Sequence, residues 1–458
     1  MIKDMTVGNP SRILLGFSLP MILSGMFQQL YNIVDSVVAG QFAGVNALAA
    51  VGASYPVTML FIAVATGAGM GSSVIISQLF GAKEYGRMKS AIYTALISMA
   101  ALSALFTLLG LVFCTPLISL MGTPEAIFAD SDLYLRIYVF GIFFLFIYNI
   151  VTAVFNALGD SRTPLFFLIF SSLFNVALDV WFVAGFEMGV AGVAWATFIA
   201  QGISSILSAL WLFRKLQHID ADGKVKLFDW RLLGAMSKIA VPSIIQQSIV
   251  SIGQLGVQAL VNRFDERVVA GYSAAIKIDS FLKVAGMSVS NAISSFTAQN
   301  IGAGTVNRIR KGRNAAILTM AVYSILAFAV IRLFGAQIVG VFVDSKESAA
   351  DVIKVGVEYL NIVGMFYFAC GVLLIFNGIL RGSGRVFAFT CATMTDLILR
   401  VGSAYLLADA IGPSAIWWSI PIGWCVAMVL AGCFYFFRRV DRKEFEQRKT
   451  QESISGRQ

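Results

Sequence analysis

A chain of 458 residues with 58% hydrophobic and only 13% charged side chains is far too apolar for a soluble protein of that length, which excludes an aqueous globular enzyme and predicts a polytopic membrane protein. Its formal net charge of +9 does not point to nucleic acid, because the basic residues fall in short loops between apolar segments, where they report membrane orientation. The five cysteines, Cys114, Cys370, Cys391, Cys425 and Cys433, lie in or beside apolar runs without CxxC spacing and read as small apolar fillers, not as a disulfide or metal framework. The N-terminus, MIKDMTVGNPSRILL, lacks the basic, apolar and small-residue order of a cleaved signal peptide.

Apolar runs of about 20 residues, enough to cross roughly 30 Å of hydrocarbon, are the main structural signal. They fall near 13–38, 47–80, 89–115, 132–158, 164–185 and 190–213, and again near 233–262, 268–300, 314–340, 352–380, 386–408 and 414–437. The expected fold is therefore all-α, with twelve transmembrane helices.

The first run carries a carboxylate, Asp35, with no basic residue within a helical turn. An acid there costs roughly 2.5 to 3.5 kcal/mol on insertion, so it is expected to face a wet interior and to have a function. Gln28, Asn32 and Asp35 follow i, i+4, i+7 and form a polar stripe on one helix face. In the fifth run Asp179 is likewise free of a nearby base and has Asn175 one turn earlier on the same face. Acids without partners in low dielectric exchange protons or collect a cation. They also serve as hydrogen-bonded glue between helices, and both readings stay open for Asp35, Asp179 and Asn175.

The loops assign the orientation. Lys83, Arg87 and Lys89 follow the second run, Arg162 the fourth, and Arg214, Lys215, Lys224 and Lys226 the sixth. Arg308, Arg310, Lys311 and Arg313 follow the eighth, Arg381 and Arg385 the tenth, and Arg438 and Arg439 the twelfth. The odd connections are neutral, acidic or mixed, so both termini are expected on the cytoplasmic side.

The same loops reveal a repeat. GSSVIISQLFGAKEYGRMKS at 71–90 resembles AISSFTAQNIGAGTVNRIRK at 292–311, pairing Gln78, Gly81, Ala82 and Arg87 with Gln299, Gly302, Ala303 and Arg308. Pro20 pairs with Pro242, and Gly159-Asp160-Ser161-Arg162 with Gly382-Ser383-Gly384-Arg385. One duplication with an even number of crossings per copy gives halves of the same orientation, a common plan of alternating-access transporters. The expected division is a six-helix lobe over 1–213, a cytoplasmic linker over 214–231, a second six-helix lobe over 232–437 and a cytoplasmic tail over 438–458. A catalytic constellation is lacking, and the only histidine, His218, reads as a solvated linker residue, so an enzyme is not expected.

In the second half the acids come with bases: Asp279 precedes Lys283 by four residues and Asp396 precedes Arg400 by four, a spacing that allows pairing on one helix face. Lys277 has no acid at helical spacing and either lines the cavity or snorkels. The Phe, Met and Tyr residues are chiefly packing and lipid-facing material, with a cavity role for polarizable rings as the narrower alternative.

The ordered set of Pro20 and Asp35-x-x-x-x-Gly40 in the first helix, LAAVGAS at 48–54, the QLFGA and QNIGA loops, and GDSRTP before an Asn-x-x-x-Asp helix resembles the multidrug and toxic compound extrusion (MATE) family. The resemblance spans roughly 8 to 438 and implies a V-shaped pair of six-helix lobes exporting organic, often cationic, compounds against a proton or sodium flow. Residue by residue, it implies a cation-coupling site at Asp35, Asn175, Asp179 and Thr197, with Tyr134 as a hydrogen-bonding neighbour and Pro20 as a hinge. The seventh helix, VPSIIQQSIVSIGQLGVQALV, has glutamines, among them Gln254, where the norfloxacin-exporter branch carries an acid. The chain thus looks closer to the DNA-damage-inducible F branch.

Gln28, Asn32, Lys277 and Gln254 are the candidate substrate contacts. No cofactor is expected beyond H+ or Na+ as coupling ion, with Na+ the only metal considered. The expected partners are a small organic compound and the bilayer of the plasma (inner) membrane, with no nucleic acid and a functional monomer. A flippase of lipid-linked sugars is the alternative, although it would need several cavity cations; a receptor or scaffold would not need acids without bases in its core.

Overall fold

The computed structural model describes residues 2–221, 223–343 and 349–437; the predicted tail, with Arg438 and Arg439, lies outside the described residues. All the regular structure described is helical. The elements are α1 (Pro10–Val38), α2 (Val45–Gly81), α3 (Tyr85–Leu120), α4 (Glu125–Ala157), α5 (Arg162–Asp179), α6 (Gly189–Gln217) and α7 (Trp230–Val261). They continue as α8 (Glu266–Gly302), α9 (Val306–Gly340), α10 (Ala349–Met365), α11 (Tyr367–Gly382), α12 (Val386–Ile411) and α13 (Ser414–Phe437).

Ten of these helices are long and apolar enough to cross a membrane, and α10 with α11, bent by 52° at their break, makes one more span. The remaining predicted span is α8, which has the length, 37 residues, but not the apolar composition. Lys277, Asp279 and Lys283 interrupt it, and its last turns are rich in Ser, Thr, Asn and Gln. Ser290, Ser294, Ser295, Thr297, Gln299 and Asn300 are all buried, so this stretch is surrounded by protein and has no need of a lipid-compatible surface. With it the twelve helices of the sequence reading are in place.

The chain folds as two compact units whose boundaries differ from the expected 213 and 232. Among the described residues, the first unit contains 2–4 and Leu23–Ser248; the second contains Met5–Ile22 and those from Ile249 to Phe437. The helices α1 and α7 therefore each divide between units, at Ile22/Leu23 and at Ser248/Ile249. The expected linker is also shorter, because α6 runs to Gln217 and α7 starts at Trp230. The segment that joins α6 to α7 is tied to α3: the N–H of Lys226 donates to Ser90 Oγ (2.9 Å) and that of Asp229 to Thr94 Oγ1 (3.0 Å).

In the first unit α4 is central, packed against α2, α3 and α6. Its Leu135, Phe146, Ile150 and Phe155 are fully buried or nearly so. The first half of α7 joins this core through glycines. A Cβ at Gly67 would come within 2.7 Å of the Ile244 backbone, and one at Gly71 within 2.6 Å of the Ala240 nitrogen. Gly67 and Gly71 form a small-x-x-x-small pair that lets two backbones approach.

The start of α5 is fixed by the α4–α5 corner. Asp160 is buried, and its Oδ1 accepts from the backbone N–H groups of Arg162 (3.2 Å) and Thr163 (3.1 Å). Its Oδ2 accepts from the Thr163 hydroxyl (2.8 Å) and from Lys215 Nζ on α6. Burial alone would raise the carboxyl's pKa, but the Lys215 ammonium and the Thr163 donors outweigh it and hold the group at about 2. This corner sets the register between α5 and α6, the two helices that carry Asn175, Asp179 and Thr197.

In the second unit the first half of α1 packs Ile13, Leu14 and Phe17 against Val289, Ile293, Phe296 and Ile375 of α8 and α11. The QNIGA motif has a structural role here. Gln299 Oε1 accepts from the N–H of Met5 (2.9 Å), while Asn300 Nδ2 and Arg308 Nη2 donate to the Met5 carbonyl (3.3 Å each). A core of Tyr272, Tyr359 and Trp417, with ring centroids 5.2 to 5.6 Å apart, closes the other part of this unit.

Candidate functional site

The polar residues of the first unit converge from three helices. Asp35 and Tyr31 are one turn apart on α1, Asn175 and Asp179 one turn apart on α5, and Thr197 lies in α6. Asn175 and Asp179 are only 2% and 1% exposed. The Asn175 amide takes the orientation its neighbours dictate. Its nitrogen donates to Asp179 Oδ2 (2.9 Å) and Tyr31 Oη (2.8 Å), and its oxygen accepts from the backbone N–H of Thr197 (3.1 Å).

The carboxyl groups of Asp35 and Asp179 are within hydrogen-bonding reach of each other. Among the described residues, no donor reaches Asp35 Oδ1 or Asp179 Oδ1, although both atoms are buried. Two ionised carboxylates about 4 Å apart repel by roughly 4 kcal/mol at an effective dielectric of 20. A single proton or cation between them removes that repulsion and satisfies both orphan oxygens. The available donors to an ion, two carboxyls with Tyr31, Asn175 and Thr197 oxygens around them, are hard oxygen ligands of the kind Na+ prefers, and the carboxyl pair equally suits a proton. Both acids are followed at once or within a turn by a π-helical segment, Ala39–Ala43 after α1 and Val180–Gly185 after α5. Such widened turns recur near functional sites.

The structure brings together Asp35, Asn175, Asp179 and Thr197, as the resemblance implies. Tyr134 on α4 is buried, with its ring 6.3 Å from that of Tyr138. Tyr31 was missed by the sequence reading; the only signal for it was its position one turn before Asp35.

A cavity of about 90 Å³ adjoins the network, lined by Gln28, Tyr31, Asn175 and Thr197 together with Tyr148, Leu168, Ser171, Ser172, Ala200 and Gln201. Gln28 is thus in contact with the site region. Asn32 is not: it is exposed and accepts from Gln28 Nε2 (3.2 Å). Lys277 and Gln254 are exposed side chains of the second unit, Lys277 with its ammonium 5.7 Å from the Phe342 ring centroid. Pro20 lies inside α1, two residues before the point at which the helix passes from one unit to the other. His218 is exposed just beyond α6.

The second unit neutralises its own acids. Lys283 Nζ is 2.6 Å from Asp279 Oδ2, and Tyr359 and Tyr367 donate to the same carboxylate at 3.0 and 2.9 Å. Arg400 pairs with Asp396 at 2.5 Å. Both pairs are those expected from the i, i+4 spacing, whereas the two tyrosines, from α10 and α11, were not foreseen.

Apolar membrane-length helices in a duplicated chain, with an oxygen-lined acid pair inside one unit, define a membrane transporter built from two homologous halves. The chain belongs to the MatE family, whose profile matches it twice, over residues 20–181 and 242–406. The two matches begin at Pro20 and Pro242, the prolines that the internal repeat pairs. A probable multidrug resistance protein of Bacillus subtilis (strain 168), YpnP, is 28% identical over 438 residues, 95% of this chain and 97% of its own. The FAD transporter of Shewanella oneidensis is 24% identical over 439 residues, 94% of each chain. Among solved structures, a MATE crystallised in complex with MaL6 superposes with a TM-score of 0.89 at 24% identity, covering 97% of this chain and 99% of that one.

Proposed function

We propose that the protein is a secondary active exporter of small organic compounds, often cationic, which it exchanges for H+ or Na+ by alternating access. The observation that carries this reading is the Asp35–Asp179 pair with its orphan oxygens, held by Tyr31, Asn175 and Thr197. A pair that is stabilised by one added cation, and destabilised by its loss, gives an ion a differential hold on two states of the same unit, which is what coupling requires.

Pro20 supplies the moving part. A proline inside α1 removes one backbone hydrogen bond and weakens the helix next to the point where it leaves one unit for the other. Loading the Asp35 carboxyl changes its bonding partners and so biases the shape of the helix that Pro20 loosens. The basic even-numbered connections support cytoplasmic termini in a cell bounded by its inner membrane. The glutamine-bearing α7, without an acid, supports the DNA-damage-inducible F branch. One chain holds both halves and the complete acid pair, so a monomer suffices.

Against the flippase alternative stands the pairing of Lys283 and Arg400 with Asp279 and Asp396, which occupies two of the three cations, Lys277, Lys283 and Arg400, that the central helices offer to a pyrophosphate. Proteoliposomes with an imposed H+ or Na+ gradient test the antiport. Export of a fluorescent organic cation should rise with the gradient of one of these ions, and export indifferent to both would sink the reading.

A further inference from the structure

The last turns of α13, in the second unit, border an apolar groove of about 380 Å³. Met428, Val429, Gly432, Cys433, Phe436 and Phe437 form one wall of it. These positions repeat as i, i+1, i+4, i+5, i+8 and i+9, which is a single helix face. At 1.5 Å per residue they run about 14 Å back from the helix end, close to the depth of one leaflet of a roughly 30 Å hydrocarbon core. Val372 and Phe376 of α11 form the other wall, and Val429, Phe436 and Phe437 are exposed. The rings of Phe376, Tyr435 and Phe436 cluster with centroids 5.0 to 6.1 Å apart. Over them lies a cation: the Arg313 guanidinium of α9 is 5.2 Å from the Tyr435 centroid and 5.5 Å from that of Phe436. Arg313 Nε and Nη2 donate to Asn314 Oδ1 (3.0 and 2.7 Å), but among the described residues no carboxylate pairs with this side chain. A guanidinium has five N–H donors, so a good part of its fork is unused. Arg310, one turn earlier on the same side of α9, is exposed.

We infer that this groove is a binding site for one anionic phospholipid of the leaflet on the basic-loop side, with an acyl chain lying along α13 and the headgroup phosphate on Arg313. The rings beneath Arg313 hold its plane in one orientation, and a planar fork held in that way matches phosphate oxygens bidentately. Arg310 adds to the local positive potential that draws anionic headgroups. An apolar chain and a charge together give a hold that neither gives alone, which favours a lipid over a free phosphate. A second copy of the chain fits less well, because a stable protein interface buries roughly 800 Å² per partner, far more than the wall of a groove of this length. A lipid seated there touches α9, α11 and α13 at once and so braces the second unit. The site shares no residue with the Asp35–Asp179 pair and stands whether or not that pair couples an ion.

Native mass spectrometry and thermal melting of the purified protein, taken from nanodiscs of phosphatidylcholine with and without phosphatidylglycerol, read the site directly. The parent should retain one phosphatidylglycerol at least about tenfold more readily than phosphatidylcholine, and should melt higher with it, since a ligand that binds only the folded state stabilises it. Arg313→Gln should bring the two lipids to within about twofold of each other, and Arg313→Lys should keep part of the preference. Val429→Trp, at an exposed position, should fill the groove and lose both lipids while melting like the parent in phosphatidylcholine alone. Equal retention of the two lipids by the parent would make the groove ordinary lipid-facing surface, and a preference unchanged in Arg313→Gln would place the anion elsewhere; either result overturns the site. Soluble glycerol phosphate that raises the melting temperature as much as phosphatidylglycerol would mean a free-phosphate site, and a parental dimer that Val429→Trp dissociates would mean a protein interface. Both of those results equally refute the lipid.

Discussion

Replacing Asp160 by Asn keeps the side chain's volume and its ability to accept from the N–H groups of Arg162 and Thr163, but removes the charge that Lys215 faces. The folded carboxyl titrates at about 2 against an ordinary value of 3.8, and each unit is worth 1.36 kcal/mol, so the ionised state contributes about 2 kcal/mol. The folded pKa is depressed, so this contribution is present above the ordinary value and is lost as the pH falls through about 2. At neutral pH the substitution should therefore lower the melting temperature in detergent by roughly 4 °C if the first unit melts as a body. As the pH falls from about 4 towards 2 the two proteins should converge. Lys215→Gln should cost a similar amount, and the double variant little more than either single one, because the pair acts as a unit. Equal melting temperatures for parent and Asp160→Asn at pH 7, or single-variant costs that simply add, would refute the account of the corner.

Other consequences are equally specific. Gly71→Val places methyl groups where the α7 backbone at Ala240 already lies 2.6 Å from the Cβ position, and should cost about 1–3 kcal/mol or abolish stable expression, read by detergent melting. Asp279→Asn leaves Lys283 with two tyrosine neighbours and no counter-charge in a buried site, and should cost about 3–5 kcal/mol; Asp279→Asn with Lys283→Met should recover most of it, since removing both charges is far cheaper than removing one. Pro20→Ala should insert normally and bind the coupling ion, yet slow export strongly; unimpaired export would remove the hinge, and lost ion binding would make Pro20 part of the site.

The span positions, the duplication and the ion pairs of the second unit were all legible in the sequence, because each depends on local period or on similarity between segments. Asp279 with Lys283 and Asp396 with Arg400 needed only i, i+4 spacing. The unit boundaries were not legible. The polar stretch 214–231 looks like a linker, but membership is decided by packing, and the close approach of α7 to Gly67 and Gly71 of α2 has no signature in the sequence. The bend between α10 and α11 has no proline to announce it.

The site shows the same limit at finer scale. Gln28, Asn32 and Asp35 share a helical face in the sequence, and Gln28, Tyr31 and Asp35 share one equally well. Periodicity gives the stripe, whereas the position of α5 decides which edge of it is met, and it meets the Tyr31 edge. Asn175 and Asp179 were readable as a pair, but the contact of Asp179 with Asp35 joins residues 144 apart and has no local signature. Tyr148, Ser171, Ser172 and Gln201 passed unremarked because single polar residues in apolar helices are common and only their convergence on one cavity distinguishes them.

Coupled export by Asp35→Asn and Asp179→Asn is the most direct test of the central claim. An amide keeps the size and part of the hydrogen bonding of each carboxyl but cannot gain or lose a charge, so helix-to-helix glue survives the change and an ion site does not. Export of a fluorescent organic cation from proteoliposomes under an imposed H+ or Na+ gradient should fall at least about a hundredfold in each variant while each remains folded in the bilayer. Near-parental export by both would assign the two acids to structure and leave the antiport without its site.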